Sequence, residues 1–294
     1  MPSVTRVIFL ARYRIPHAVM SLQFDHCLQG IDRTVIASPV PKEEIWAVFE
    51  KYGIDTSRFD YISDQEVLPH YPEVEHWVFP DDYRTTWLRQ QAVKLSFLDY
   101  LDGEIFLMQD PDTFMIEPYR CVGEDGILNY LIIPNTTHAP QYYSMLDISL
   151  GIPRQTPHCF ITELVPLYKE DLTKAKYLLE QKHNKHWLDA IIDSVPGCET
   201  IPPWGNGEMI KWFSEYEFIG NWTMSQRPVT FQEQRRFEYP DMEDLRKLTP
   251  EFNAVCDAVP DLRLSIQYDG MTGTVPKFEY YMKIVNDIMA EWKR

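Results

Sequence analysis

The chain has 294 residues, 45% of them hydrophobic and 24% charged, with 44 Asp and Glu against 28 Lys and Arg for a net charge of −16. Such a length can bury an ample core, and the composition excludes a disordered tail, a coiled coil and a collagen-like fibre. No apolar run nears the ~20 residues that a bilayer span needs, and the acidic balance weighs against a simple nucleic-acid binder, whose phosphate contacts need clustered cations.

Val7–Ala11 is a five-residue apolar run, too short for the core of a signal peptide. It is expected as a first strand, and with no export signal read there a cytoplasmic location is expected. A second run, Thr34–Ser38, precedes Pro39-Val40-Pro41. Acids and an apolar stripe at Ile45, Val48 and Phe49 then predict a helix from Lys42. A third short strand, Asp60–Ser63, follows Gly53. Strand, helix, strand at this spacing argues for a parallel sheet with crossovers.

Residues 59–83 hold seven acids, three prolines and no Lys or Arg, the pattern of a solvated, loop-like segment. Arg84 to Leu101 turns helical, with Leu88, Ala92, Leu95 and Leu98 on one stripe and Trp87, Gln91 and Lys94 on another. Gly103 closes that helix, and Glu104–Met108 is the next buried strand, running into Gln109-Asp110-Pro111-Asp112.

Further strands and helices are expected at Ile127–Ile133, Glu170–Gln181 and His186–Val195, with an amphipathic C-terminal helix over Phe278, Met282, Val285, Met289 and Trp292. No linker divides the chain. One domain over 1–294 is expected, with a donor half (1–120) and an acceptor half carrying the C-terminal helix (121–294). The five cysteines (27, 121, 159, 198, 256) are odd in number, scattered and without CxxC, so they read as small buried hydrophobes. Asn135-Thr136-Thr137 and Asn221-Trp222-Thr223 fit the glycosylation acceptor pattern, which means little without secretion.

The informative element is the end of the strand at Asp110-Pro111-Asp112. Ligands of open α/β sheets bind beyond the carboxyl ends of the strands. Two carboxylates one residue apart can hold one hard cation, Mg²⁺ or Mn²⁺, which also takes phosphate oxygens and stabilises a departing diphosphate. An Asp- and Pro-rich turn is also ordinary loop chemistry.

Trp87-Leu88-Arg89-Gln90-Gln91-Ala92-Val93-Lys94-Leu95, followed by Glu104 to Asp112, resembles the donor half of a GT-A glycosyltransferase. With Ser214-Glu215-Tyr216-Glu217-Phe218-Ile219-Gly220-Asn221, the chain is similar to a bacterial and phage group carrying W-x-x-Q-Q-x-x-K-L, D-x-D and S-E-Y-E-x-x-G-N. The resemblance implies a Rossmann-like, mostly parallel sheet flanked by helices, with an aromatic-rich acceptor lobe. It implies a metal-dependent transfer of sugar from a nucleotide-diphosphate sugar, UDP-sugar favoured, to a hydroxyl acceptor, with Mn²⁺ or Mg²⁺ held by Asp110 and Asp112. Lys94 would reach the donor, as would Gln91, Asp110 and Trp87, the last equally read as a core residue. Ala11, Arg12 and Tyr13 would approach the nucleobase and ribose, and Asp64 the pocket edge.

For the acceptor side, Glu215 and then Glu217 are the candidate carboxylates to orient the hydroxyl or take its proton. The plainer reading is a helix C-terminus running into Gly220, with exposed acids. Trp204, Gly205 and Asn206 form a candidate acceptor loop. The family's third metal ligand, often a histidine near the C-terminus, has no histidine counterpart here: either Asp269 or Gln267 replaces it, or the third protein ligand is missing. His158 reads as structural. The acceptor is a glycan hydroxyl or, in a phage-encoded protein in host cytoplasm, a hydroxymethylated pyrimidine in DNA. The DNA version needs a basic groove, for which Arg235-Arg236 and Arg246-Lys247 are the available pairs. A non-catalytic nucleotide-sugar-binding module is the other alternative. A nucleotidyltransferase is disfavoured because Arg12-Tyr13-Arg14-Ile15-Pro16 stands where a Gly-rich phosphate loop would be.

Overall fold

The structure, a computed structural model, describes residues 2–268 apart from 12–13, 24, 78–81, 112, 116–117, 134–139, 195–196, 200–208, 212 and 240–262. In chain order the main elements are β1 (Val4–Phe9), α1 (Ile15–Gln23), β2 (Arg33–Ser38), α2 (Lys42–Lys51), β3 (Phe59–Ser63), α3 (Asp82–Tyr100), β4 (Ile105–Gln109) and β5 (Thr113–Met115). They continue with β6 (Leu128–Ile132), α4 (Met145–Leu150), β7 (Leu164–Tyr168), α5 (Lys169–His183), α6 (Trp187–Ser194), α7 (Glu215–Gln226), β8 (Val229–Tyr239) and β9 (Arg263–Tyr268).

Five strands form the central sheet in the order β3-β2-β1-β4-β7, all parallel except the β4–β7 pair. A second sheet runs β5-β9-β8-β6. Adjacent side chains of β1 enter opposite cores, as strand alternation requires. Ile8 packs with Val19 of α1 and Ile45 and Phe49 of α2, whereas Val7 joins Leu88 and Leu95 of α3. Covered on both faces, Ile105, Phe106, Leu107 and Met108 of β4 are fully buried, which is why that strand reads as one apolar run. The predicted stripe Leu88, Ala92, Leu95 and Leu98 is likewise fully buried on α3.

Three expectations are corrected. Residues 59–83 are not a solvated loop in their described part: after β3 the chain makes short helical turns at Asp64–Val67, Leu68–His70 and Pro72–His76. Val67, Val74 and Trp77 are buried among the acids, and Trp77 meets the Phe213 ring edge-on at 5.2 Å. Net charge hid three widely spaced apolar anchors.

Ser214-Glu215-Tyr216-Glu217 starts a helix and does not end one. Ser214 caps α7 by accepting the Glu217 N–H, and the helix runs on through Gly220. That glycine allows close approach, since a Cβ there would lie 2.4 Å from the Phe160 ring. Finally, Glu217 is not an exposed acid; it is 1% exposed. The sequon asparagine Asn221 is also buried and bonded on both sides of its amide, donating to the Glu217 carbonyl and accepting from the Gln155 N–H.

Cys27, Cys121 and Cys159 are buried free thiols, and the side chains of Cys198 and Cys256 lie outside the described ones. So do the expected C-terminal helix and Arg246-Lys247. Among the described residues no helix is long and apolar enough to cross a membrane.

Candidate active site

The parallel strands bring Ala11, Asp64 and Asp110 to one edge of the sheet, each just past the carboxyl end of its strand. Ala11 follows β1, the direct neighbour of β4, whereas Asp64 follows β3, three strands from β4. Three interstrand spacings put about 14 Å between the ends of β3 and β4, so Asp64 is not brought against Asp110. Burial raises the Asp64 carboxyl to about 6.

Asp110 is the centre of the described site. Its carboxylate lies 2.5 Å from Lys94 Nζ, and the same ammonium lies 2.6 Å from Glu215 Oε1. Lys94 also donates to the Tyr216 hydroxyl at 2.9 Å. Lys94 and Glu215 are each 3% exposed, while the Asp110 side chain keeps 19% of its surface open. One helical turn before Lys94, the Gln91 side-chain oxygen Oε1 accepts the Glu215 N–H at 3.2 Å. Its amide nitrogen is buried with no partner among the described residues.

This arrangement follows from the elements. Gln91 and Lys94 are three apart and share a face of α3, beside the core stripe that fixes the helix on the sheet. The capped first turn of α7 supplies Glu215 and Tyr216, so two helices distant in sequence meet over the tip of β4. Burial by itself would strip the Lys94 proton, but Asp110 and Glu215 outweigh it and the ammonium is held more firmly than usual. Burial raises the Glu215 carboxyl, with Lys94 opposing and Asp110 reinforcing the shift. Burial likewise pushes the Tyr216 hydroxyl well up, so it stays a proton donor. Two carboxylates to one ammonium leave the cluster with a formal charge of −1, suited to a cationic group beside it.

Glu217 lies on the same turn but faces elsewhere. It accepts the Phe160 N–H at 2.6 Å and the Asn221 amide at 3.0 Å, and burial raises its carboxyl to about 7. His158 stacks edge-on against Phe231 with ring centroids 5.7 Å apart.

The sequence reading thus named four residues that the fold assembles, Gln91, Lys94, Asp110 and Glu215. It missed Tyr216, although the residue stands inside the S-E-Y-E motif, and it missed Glu163, whose backbone carbonyl accepts the Asp110 N–H at 3.0 Å. The side chain of Trp87 and residues Arg12, Tyr13, Asp112, Trp204, Gly205, Asn206 and Asp269 lie outside the described residues. Of the expected metal set, Asp110 is therefore described, and no group of three or more His, Cys, Asp or Glu able to hold a metal occurs among the described residues.

Solved structures align with this chain. An active-site mutant of LgtC aligns over 96% of this chain and 95% of its own, at 10% identity and a TM-score of 0.50. The galactosyltransferase LgtC in complex with donor and acceptor sugar analogs aligns over the same shares at 10% identity and 0.48. Glucosyl-3-phosphoglycerate synthase from Mycobacterium tuberculosis, in complex with phosphoglyceric acid, aligns over 73% of this chain and 88% of its own, at 13% identity and 0.39. The sheet order, its flanking helices and the first of these alignments define the fold as GT-A. By sequence, residues 17–246 match the family described as "Family of unknown function (DUF6492)", and the chain belongs to that family. No protein of curated function matches it.

Proposed function

We propose that this protein is a glycosyltransferase that moves a sugar from a nucleotide-diphosphate sugar, UDP-sugar favoured, to a hydroxyl acceptor. The observation that carries the reading is Asp110. It is a partly open carboxylate just past the tip of an inner parallel strand of a GT-A sheet, fixed by a buried ammonium. In such sheets that edge is the ligand-binding edge.

The Asp110 carboxylate is a hard oxygen donor with an open side, and Mg²⁺ or Mn²⁺ is commonly held by one or two carboxylates plus substrate phosphates. Asp110, with Asp112, would hold the ion, which supplies charge neutralisation at the diphosphate. Lys94 fixes the rotamer of Asp110 and Glu215 fixes Lys94. Being ion-paired and 3% exposed, Glu215 is here a positioning residue and not the acceptor base. Beside them, the buried Gln91 amide N–H has no partner among the described residues, and a donor oxygen entering there would satisfy it.

The test is release of UDP from UDP-glucose with Mn²⁺, comparing the wild type with Asp110→Ala. The variant should lose at least roughly 100-fold in turnover. Binding of UDP-, GDP-, CMP- or dTDP-sugars without turnover of any would instead identify a non-catalytic sugar-nucleotide-binding module.

A further inference from the structure

Glu163 stands one residue before β7 in a conformation that side chains rarely adopt, with φ at +60°. Glycine takes that backbone freely, whereas a Cβ there is disfavoured. A glutamate at such a place implies that its side chain is needed, and its contacts say for what. It is 5% exposed. Its carbonyl accepts the Asp110 N–H at 3.0 Å, and its carboxylate accepts the Thr113 hydroxyl at 2.7 Å.

Glu163 therefore grips both ends of the turn from Asp110 to Thr113, which is closed internally by the Thr113 N–H donating to the Asp110 carbonyl at 3.2 Å. From the other side, the Gln109 amide donates to the Ser21 hydroxyl and to the Thr113 carbonyl, each at 2.7 Å. The Ser21 hydroxyl donates to that same carbonyl at 3.0 Å. The turn is thus held by α1 on one side and by the entry to β7 on the other, with the N–H and carbonyl of both Asp110 and Thr113 bonded before any ligand arrives.

We propose that Glu163 is a positioning residue, a clamp that sets where the Asp110 carboxylate stands to receive a nucleotide diphosphate and its cation. The assignment rests on the functional reading above and adds to it a residue from outside every motif. The left-handed backbone aims the Glu163 carbonyl at the Asp110 N–H, and the side chain then reaches Thr113. Neither half suffices alone: the carbonyl leaves the far end of the turn loose, and the side chain leaves Asp110 free to pivot. Glutamine keeps an acceptor oxygen for the Thr113 hydroxyl, so the clamp needs the shape of Glu163 and not its charge.

The experiment uses the full chain and three variants, Glu163→Ala, Glu163→Gln and Thr113→Val. Amide hydrogen exchange over residues 106–114 reads the turn directly, and calorimetric titration with UDP, with and without Mn²⁺, reads its purpose. Glu163→Ala and Thr113→Val should each speed exchange and weaken Mn²⁺-dependent UDP binding by roughly tenfold. UDP binding without Mn²⁺ should be unchanged. Glu163→Gln should stay within roughly threefold of the wild type, and the double variant Glu163→Ala with Thr113→Val should be no weaker than the worse single one.

Should Glu163→Ala fail to fold, Thr113→Val decides, because it leaves the Glu163 backbone intact. Wild-type binding with unchanged exchange and affinity in the variants, or a loss in Glu163→Gln equal to that in Glu163→Ala, overturns this assignment alone. Absence of Mn²⁺-dependent UDP binding by the wild type overturns the functional reading and this assignment with it.

Discussion

At Lys94 two carboxylates share one ammonium, and the energetics of the site follow from that sharing. A buried ion pair is a weak source of net stability, but removing one partner strands the other in a poorly solvating environment. Lys94→Ala leaves Asp110 and Glu215 facing each other unpaired and should destabilise the chain by about 3–5 kcal/mol, read from urea unfolding. A loss below about 1 kcal/mol would mean that water reaches Glu215 freely. Glu217 gives a second prediction. Its folded value of about 7 lies above the ordinary carboxyl value of 4.5 because burial disfavours the charge. The protonated form is the one the fold prefers, so the group's contribution is complete below about pH 4.5 and is lost as pH rises to about 7. That loss amounts to about 3 kcal/mol relative to Glu217→Gln, which carries a fixed offset independent of pH. Parallel stability curves for the two proteins between pH 4.5 and 7 would contradict the assignment. Lys94 was legible in the sequence because it stands at helical spacing from Gln91 before an Asp-tipped strand. Glu163 was not, because its part depends on a backbone angle and on a strand that arrives fifty residues later.

The first turn of α7 is the element that completes the site, and its start is chemically determined. Ser214 followed three residues later by Glu217 is the spacing of a capping box, the signal that marks Glu215 as a helix start. The box is only half used: the Ser214 hydroxyl caps the helix, while the Glu217 carboxylate turns to the Phe160 N–H. Ser214→Ala should cost about 1 kcal/mol of stability in a denaturant titration, and it should lower the affinity for UDP as well, since Glu215 and Tyr216 sit on the loosened turn. Gly220→Ala sets propensity against packing. Alanine favours the helix by ~1 kcal/mol, but its methyl group would overlap the Phe160 ring at 2.4 Å. Overpacking of this kind costs about 1–3 kcal/mol, so the net effect should be destabilising, and Phe160→Leu in the same chain should return part of it. A more stable Gly220→Ala protein would show that Phe160 moves aside freely.

At the scale of the molecule, the sheet order decides which carboxyl ends converge. β1 and β4 are neighbours and β3 lies at the edge, so a nucleotide seated on the sheet edge between Asp110 and Ala11 lies well away from Asp64. Saturating UDP with Mn²⁺, about 100-fold above its dissociation constant, should raise apparent stability by about 2.7 kcal/mol and the melting temperature by several degrees. The same addition to Asp110→Ala should shift it little, and equal shifts in both proteins would remove Asp110 from the binding edge. The amino-acid sequence by itself determined β1, β2, β3, β4, α2 and α3, since β4 is apolar on both faces and α3 carries its core stripe at helical period, but not α1 or the helical turns between Asp64 and His76. It also determined which polar residues stand at strand tips and on the second face of α3. Only the tertiary structure decided that the S-E-Y-E turn docks on Lys94, that Glu217 is buried and that Glu163 holds the Asp110 turn. Periodicity reports which face of one element is covered; it carries no information about which distant element covers it, and the contacts that bring Glu215, Tyr216 and Glu163 to this site join segments fifty residues apart or more.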